Sequence, residues 1–366
     1  MKRFLHILTV LALVSCTNKM EFVMESLPDQ LLLTAQLKSS ESTHAVYAAV
    51  GNNHTVKPAP ELEMVCTVGG KDITLTREVV SKEDGLLREP WRKYTFDGAL
   101  APGDVVRISA RTADGQFSAT TESTIPPLPT LSKVDTVTVR TKNLWQPKVE
   151  SKHLRFKVSV DDPKGENWYM LNVLARYDIT MHAEGHPDKE ISDTRSPKID
   201  SGDDPILSEG VVISNEELFG TLSTNAFHIF SDTLFEGAVG EASFKIDYND
   251  IFNTQFLNIP PAESNPDGST KYMYDGLTLA ATLDVNLYGL PLEEYNYLKA
   301  IGIRASGFFF SDFMEPIAIP DNVEGADGFI GVMSCEKISI KLPIREITFG
   351  NDDSGNPSSD PNPFKI

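Results

Sequence analysis

Short segments in which apolar and polar residues alternate restrict the fold of this chain more than any other feature. The longest apolar face of this kind occupies five alternate positions: Leu279, Ala281, Leu283, Val285 and Leu287. Successive side chains of a β-strand point to opposite faces of a sheet, so strict alternation predicts a strand with one buried face. Similar segments recur between turn residues along most of the chain. The sequence therefore predicts an all-β protein.

Residues 24–126 are predicted to form an immunoglobulin-like β-sandwich. Apolar residues alternate over 62–68, and Gly69-Gly70 supplies the turn that follows. They alternate again over 106–121, on both sides of the turn residues Asp114-Gly115. About a hundred residues of short strands with such turns are typical of this kind of sandwich.

A stiff proline-rich linker, Ile125-Pro126-Pro127-Leu128-Pro129, follows, because each proline restricts itself and the residue before it. Residues 130–349 are predicted to form a larger β-sandwich-like domain. Its segment 168–177 is apolar on both faces and should be a central strand. Ile338, Ile340 and Leu342 form its last alternating face. Residues 350–366 are rich in Asn, Asp, Ser, Gly and Pro and are predicted to be a disordered tail.

One short helix is expected within the second domain. Pro291 suits its first position, and Glu293 and Glu294 favour the positive end of its dipole. Gly302 can end it. The residues predicted to share one face of this helix are Leu292, Tyr295 and Leu298.

The N-terminus has the pattern of a lipoprotein signal. Lys2 and Arg3 precede an apolar run over 4–14, which is too short to span a bilayer stably. Leu13-Val14-Ser15-Cys16 then fits a lipobox, in which the cysteine thiol receives a diacylglyceryl group and cleavage makes that cysteine the first residue. We therefore predict a signal peptide over 1–15, lipidation of Cys16 and a tether over 16–23. The alternative is an ordinary cleaved signal with an incidental cysteine.

The formal net charge of −19 opposes binding to nucleic acid or anionic lipid. Apart from Cys16, only Cys66 and Cys335 remain, each in an apolar-patterned segment. A disulfide between them is one possibility, and two buried free thiols are the favoured one, because the two residues fall in different predicted domains.

Several segments, in their order and spacing, resemble a family of unknown function, family 4249, whose members are lipoproteins of Bacteroidota. The matching segments are Leu100-Ala101-Pro102-Gly103-Asp104 with the strand end at 119–126, Asp162-Pro163-Lys164-Gly165-Glu166-Asn167-Trp168-Tyr169, Ile229-Phe230-Ser231-Asp232-Thr233-Leu234-Phe235, Leu292-Glu293-Glu294-Tyr295-Asn296-Tyr297-Leu298-Lys299 and Asp321-Asn322-Val323-Glu324-Gly325-Ala326-Asp327-Gly328-Phe329-Ile330-Gly331. Phe313-Met314-Glu315-Pro316 departs from the asparagine-proline-phenylalanine stretch usual in that family. The resemblance implies an outer-membrane or surface lipoprotein, often encoded beside a TonB-dependent receptor, with no assigned catalytic activity.

Metal-binding patterns are weak in this sequence. His182 and His186 are four residues apart, as on a zinc-binding helix, but Gly185 and Pro187 disfavour that helix. Asp161-Asp162 and the acidic residues of 200–204 lack the spacing of a calcium loop. Acidic turn residues commonly accept hydrogen bonds from backbone groups, so a structural role is favoured and no metal or cofactor is predicted.

Segment 321–331 carries Gly325, Gly328 and Gly331 but does not lead into a helix, which disfavours a phosphate-binding loop. We predict a structural turn instead, with one or more of these glycines at positive φ. The chain shows no serine nucleophile elbow and no triad pattern.

An aromatic cluster, Phe308-Phe309-Phe310 with Phe313, is the weak candidate for ligand binding. On a central strand these side chains would be core, which is favoured; in a loop they would form an exposed patch for a partner. Trp91, Trp145 and Trp168 could stack on sugars, although tryptophan more often serves packing.

These observations predict a non-catalytic lipoprotein, anchored in the outer membrane and facing the cell surface rather than the periplasm. Its expected role is accessory or ligand-capture partner of a TonB-dependent receptor in nutrient uptake. The alternative is a stand-alone surface protein that binds a glycan or peptide. A hydrolase is disfavoured, because no convergent acid, base or metal-binding groups are recognisable.

Overall fold

The computed structural model describes residues 27–52, 54–78, 91–142, 150–182, 187–202, 204–208, 213–215, 220–222, 225–252, 261–264, 270–272, 276–305 and 318–348. Strands dominate this part of the chain, and it contains two helices. The prediction of an all-β protein is confirmed. No helix within these ranges is long and apolar enough to cross a membrane.

The first nine strands precede the proline-rich linker. They are β1 (Gln30–Lys38), β2 (Thr43–Gly51), β3 (Val56–Pro58), β4 (Leu62–Val68), β5 (Lys71–Thr74), β6 (Thr76–Glu78), β7 (Arg92–Asp97), β8 (Val105–Thr112) and β9 (Ser118–Thr124).

The remaining elements follow the linker. They are β10 (Thr130–Lys142), β11 (Glu150–Asp161), β12 (Trp168–His182), β13 (Lys189–Arg195), β14 (Ile199–Asp200), β15 (Ile213–Asn215), β16 (Gly220–Leu222), β17 (Ile229–Ser231), β18 (Val239–Asp247), α1 (Tyr248–Phe252), β19 (Pro261–Ser264), β20 (Thr270–Tyr272), β21 (Gly276–Leu290), α2 (Leu292–Ala305), β22 (Asp327–Lys341) and β23 (Arg345–Thr348).

The first sandwich packs the sheet β5-β4-β8-β9 against β1, β2, β7 and β6 of a larger sheet. The alternating residues of β4 and β8 face its core, as the sequence predicts. Gly69 and Gly70 have positive φ in the turn between β4 and β5, and Gly115 does so between β8 and β9. Both predicted hairpins are confirmed.

The second sandwich packs β10-β11-β18-β14 against β12 and β21 of the large sheet. Phe156 and Phe244 stack in its core with ring centroids 4.7 Å apart. β12 is a central strand, as predicted, because β21 pairs with its whole length on one edge while β17 and β13 pair on the other. The alternating residues Ile338, Ile340 and Leu342 are half-buried and pack against the core of this sandwich, and a further strand, β23, follows them and pairs with β21.

Strand β22 belongs to both sandwiches. Its first half pairs parallel with β1, ending at Lys38 opposite Met333, and its second half pairs antiparallel with β21, starting at Gly289 opposite Ser334. Ile330 and Val332 therefore lie in the first core. Linker residues bond to this strand as well, since Ser334 Oγ donates to the Pro127 carbonyl at 2.7 Å.

Helix α2 lies where the sequence places a helix, but two details of the expectation are wrong. Pro291 caps the helix instead of forming its first residue, because its carbonyl accepts the Tyr295 N–H. Gly302 lies inside the helix, which continues to Ala305. Glu294 is in the first turn, as expected, yet its side chain is only 1% exposed.

Candidate functional site

A cleft opens beside β12 where the strands on one of its edges are interrupted. β17 pairs with β12 at residues 168–170, and β13 pairs with it at residues 175–181. Residues 171–174 are left without a strand partner on that edge within the described part of the chain. The resulting edge cleft has a volume of about 640 Å³ and is lined by residues 170–172, 196–199 and 225–228.

The lining combines apolar surface with neutral hydrogen-bonding groups. Met170 and the half-buried Phe227 give the apolar part, and the exposed Ser196 lies beside the half-exposed Asn172. Ser196 Oγ donates to Asn172 Oδ1 at 3.3 Å, so the Asn172 amide nitrogen remains a donor with no partner among the described residues. The exposed Lys198 adds one positive charge at the rim.

The turn formed by Asn225–His228 builds one wall of the edge cleft. The buried Asn225 amide donates to the carbonyls of Leu207 and Ile229, both at 2.7 Å, and accepts the Ile229 N–H at 2.9 Å. These bonds hold His228 at a φ of 53°, a left-handed conformation that is uncommon for residues other than glycine. The His228 carbonyl accepts the Leu171 N–H, which ties the wall to β12.

The His228 imidazole favours its neutral form. Burial lowers the pKa of His228, and a hydrogen bond with the Ile199 backbone opposes that shift only in part. A neutral imidazole can both donate and accept a hydrogen bond. The edge cleft therefore offers a ligand hydroxyl, amide and imidazole groups beside an aromatic ring, a set suited to a polar ligand.

Comparison with known protein families identifies a match over most of the chain. The family described as Domain of unknown function (DUF4249) matches residues 21–339. The chain belongs to this family. No curated protein matches the chain in sequence.

The histidine pair considered for zinc is only partly described in this DUF4249 protein. His182 Nε2 lies 2.8 Å from Thr278 Oγ1, and His182 Nδ1 lies 3.1 Å from Asp188 Oδ1. His186 lies outside the described residues. Within those residues no three His, Cys, Asp or Glu side chains are grouped as a metal site would require.

Acidic turn residues act as hydrogen-bond acceptors for the backbone in this DUF4249 chain. Asp162 accepts the Gly237 N–H at 2.8 Å and the Tyr169 hydroxyl. Asp204, which is 4% exposed, accepts the N–H groups of Ile206, Leu207 and Ser243. These bonds fit the structural role predicted for Asp162 and Asp204; Asp203 lies outside the described residues.

The prediction of one or more glycines at positive φ in segment 321–331 is confirmed. Gly325 and Gly328 have φ values of 83° and 135°. Gly331 instead lies within β22 at negative φ, and its missing Cβ leaves room for the Glu294 carboxyl. Gly331 is thus required because the Glu294 side chain approaches the backbone closely there. A turn pattern in the sequence does not indicate such an approach.

The aromatic candidates Phe308, Phe309, Phe310 and Phe313 lie outside the described residues, as do Trp145 and Cys16. Trp168 is half-buried and packs beside Met170, and Trp91 is half-buried.

Cys66 and Cys335 are free thiols. Burial raises the pKa of the Cys66 thiol to about 12, so that thiol stays protonated at neutral pH.

Sequence reasoning missed the edge cleft because its residues carry no recognisable motif. Ser196, Asn172 and His228 come from three separate segments that only the interrupted pairing of β12 brings together. The positive φ of His228 could not be predicted either, since most histidine residues have negative φ.

Proposed function

We propose that this DUF4249 protein is a non-catalytic outer-membrane lipoprotein that captures a ligand for a TonB-dependent receptor. The lipobox ending at Cys16 supports the anchor, since several acyl chains together hold a protein stably in a membrane. The resemblance drawn from its motifs supports the receptor partner. The edge cleft supports the ligand-capture step.

The composition of the edge cleft is the observation that carries the binding role. Its described lining contains hydroxyl, amide, imidazole and aromatic groups and the Lys198 ammonium at the rim, but no carboxylate. Hydrolysis usually requires an acid and a base, or a metal, converging on one bond. Neutral donors and acceptors beside Phe227 instead favour holding a glycan or a peptide.

Exposure at the cell surface is the second part of the proposal. The net charge of −19 keeps the protein soluble and repels anionic surfaces, which suits a role outside the membrane. Protease treatment of intact cells tests it. Digestion without lysis supports a surface location, and protection until the outer membrane is broken places the protein on the periplasmic leaflet.

Filling the edge cleft tests the capture step. In S196W an indole replaces the exposed hydroxyl that lines the cleft, whereas S192W makes the same change at an exposed position on β13 outside it. Calorimetry against a panel of neutral oligosaccharides and short peptides should find a ligand for the wild type and S192W, with at least tenfold weaker binding to S196W. Equal binding to both variants would contradict the assignment of the edge cleft.

A stand-alone glycan-binding or peptide-binding protein is the second candidate. The edge cleft places the ring of Phe227 beside hydrogen-bonding side chains, a combination that can hold a glycan or a peptide directly. Ligand binding by the purified protein, together with no TonB-dependent receptor retained when the protein is purified from detergent-extracted membranes, would favour this candidate over the receptor partner.

A further inference from the structure

Glu294 is a carboxyl group buried at the junction of the two sandwiches. It projects from α2 against Gly331 of β22, close to the point where β22 passes from β1 to β21. Only 1% of the residue is exposed, and its Oε2 atom has no hydrogen-bond partner among the described residues. The backbone N–H of Val332 donates a hydrogen bond to the carboxyl group. A charged carboxylate here would be poorly compensated.

Among the described residues, Lys38 is the cation whose charge acts on Glu294. Lys38, at the end of β1, lowers the pKa of Glu294 through its charge, but its ammonium is paired with Glu41 at 3.1 Å. The other titratable groups are Tyr297 and Lys299 on α2, Tyr288 on β21 and Cys335 on β22. Lys299 bonds the Tyr295 hydroxyl, and burial raises the pKa of Tyr297, Tyr288 and Cys335. These three groups are therefore neutral near pH 7.

Desolvation decides the protonation state of Glu294. Burial raises the pKa of Glu294 to about 8, against the smaller opposing effects of the Val332 N–H and Lys38. A carboxyl with that pKa is mainly protonated at pH 7. Helix α2 is therefore seated on β22 when Glu294 is protonated and neutral.

Helix α2 also supports the edge cleft from behind. Tyr295 and Leu298 pack with Met170 and Ile229 in a small cluster that includes Phe227. Met170 and Phe227 line the edge cleft. Tyr297 stacks on Phe329 of β22 with ring centroids 4.1 Å apart. This contact fixes the helix to β22, the strand that Glu294 also contacts. A displacement of α2 would remove the packing behind two cleft residues.

We propose that Glu294 is a proton-operated latch: the neutral acid seats α2 on β22 and keeps the edge cleft in shape, and ionisation releases the helix and loosens the cleft. The latch regulates the same cleft that the proposed function assigns to ligand capture. A ligand taken up near neutral pH would then be held less firmly as the pH rises.

The sign of the pH dependence follows from proton linkage. The seated state holds a proton that the released, solvated carboxyl loses near its ordinary pKa of 4.5. Raising the pH between that value and about 8 therefore favours release, by about tenfold in the opening constant per pH unit. Above about pH 8 both states are ionised, and the opening constant becomes independent of pH.

Hydrogen exchange on the ligand-free protein tests the latch. The mature full-length chain in detergent is exchanged between pH 6 and 9.5, and rates in peptides from α2 and from 225–229 are corrected for intrinsic exchange. The wild type should show opening in both peptides that increases about tenfold per pH unit up to about pH 8. E294Q should lose this dependence, and E293Q, altered at an exposed position of the same helix, should retain it.

Each other outcome overturns a stated part of the inference. If the opening of α2 in the wild type does not depend on pH, the latch is overturned. This test needs only the wild type, so it remains valid even if E294Q does not fold. Opening of α2 without any change in 225–229 overturns the connection to the edge cleft. Because the exchange measurement uses no ligand, it can confirm the latch even if the proposed ligand capture fails. Ligand capture can likewise be confirmed by calorimetry even if the latch fails.

Discussion

The carboxyl group of Glu294 occupies the space that a side chain at Gly331 would fill. A Cβ added at Gly331 would overlap Oε1 of Glu294. The two residues come from α2 and β22, which have no hydrogen-bonded ladder between them. Close approach of a buried acid to a bare backbone position thus fixes how the helix sits on the sheet.

Substituting Gly331 should therefore cost stability only while Glu294 is present. Gly331→Ala is expected to lower the free energy of unfolding by about 1–3 kcal/mol, because the carboxyl must move within a packed junction. In a Glu294→Ala background the same change should cost much less. Urea unfolding of the four proteins measures the coupling, and purely additive costs would show that the two residues do not constrain each other.

Gly325 should be intolerant of any side chain. Its φ of 83° is left-handed, and an added Cβ would overlap the Ser118 carbonyl. Gly115 provides a matched control, with a φ of 70° and no atom within 4 Å of an added Cβ. Gly115→Ala should cost about 1 kcal/mol from backbone conformation alone.

The Gly325→Ala variant should cost about 1–3 kcal/mol more than that control, because the neighbouring strand must shift as well. Thermal or urea unfolding compares the two variants. Equal losses would mean that contact with Ser118 contributes nothing. A Gly325→Ala variant of normal stability that no longer bound ligand would contradict the structural role given to segment 321–331.

Asp284 should make the protein sensitive to acid. Its side chain is 5% exposed, and it accepts hydrogen bonds from Arg176 at 2.6 and 3.1 Å and from Ser339 at 2.6 Å. Burial raises the pKa of Asp284, but these bonds and the charge of Lys337 outweigh it, so the pKa lies below the usual value of 3.8. The resulting stability is present above that value and is lost as the pH falls through the lower pKa of the folded state.

Removing Arg176 should then weaken the fold at neutral pH. Arg176→Met is expected to cost about 1.5–3 kcal/mol at pH 7, since it removes two hydrogen bonds to a buried charge. The loss should shrink at acid pH, as the pH falls through the lowered pKa of Asp284 and that carboxylate becomes protonated. Arg155→Met, at an exposed position of β11, is the control and should change stability little. Urea unfolding at both pH values measures the difference, and a loss that did not depend on pH would contradict the ion pair.

Cys16 should be the membrane anchor. Cys16→Ser removes the thiol that a diacylglyceryl group requires, so the protein should leave the membrane fraction and lose the mass of its acyl chains. Fractionation and intact-mass measurement check this. Cys66→Ser, which alters a buried thiol, is the control and should remain in the membrane. An unchanged fraction and mass for Cys16→Ser would show that the anchor lies elsewhere.

Alternation predicted the strands well because burial on one face imposes it. The buried positions of β4, β8 and β21 follow directly from their residues. Alternation does not state which strands become neighbours, so the membership of β22 in two sandwiches could not be predicted. Glu294 could not be predicted to be buried either, since a glutamate in the first turn of a helix is ordinarily exposed and stabilised by the helix dipole.

Co-purification of this protein with its receptor tests the central claim most directly. An affinity-tagged wild-type chain is extracted from membranes in mild detergent, washed stringently and analysed by mass spectrometry, beside an untagged strain. We predict that a TonB-dependent receptor is retained with the tagged protein and is absent from the control. Failure to retain any such receptor, in every growth condition where the lipoprotein is made, would contradict the proposed partnership.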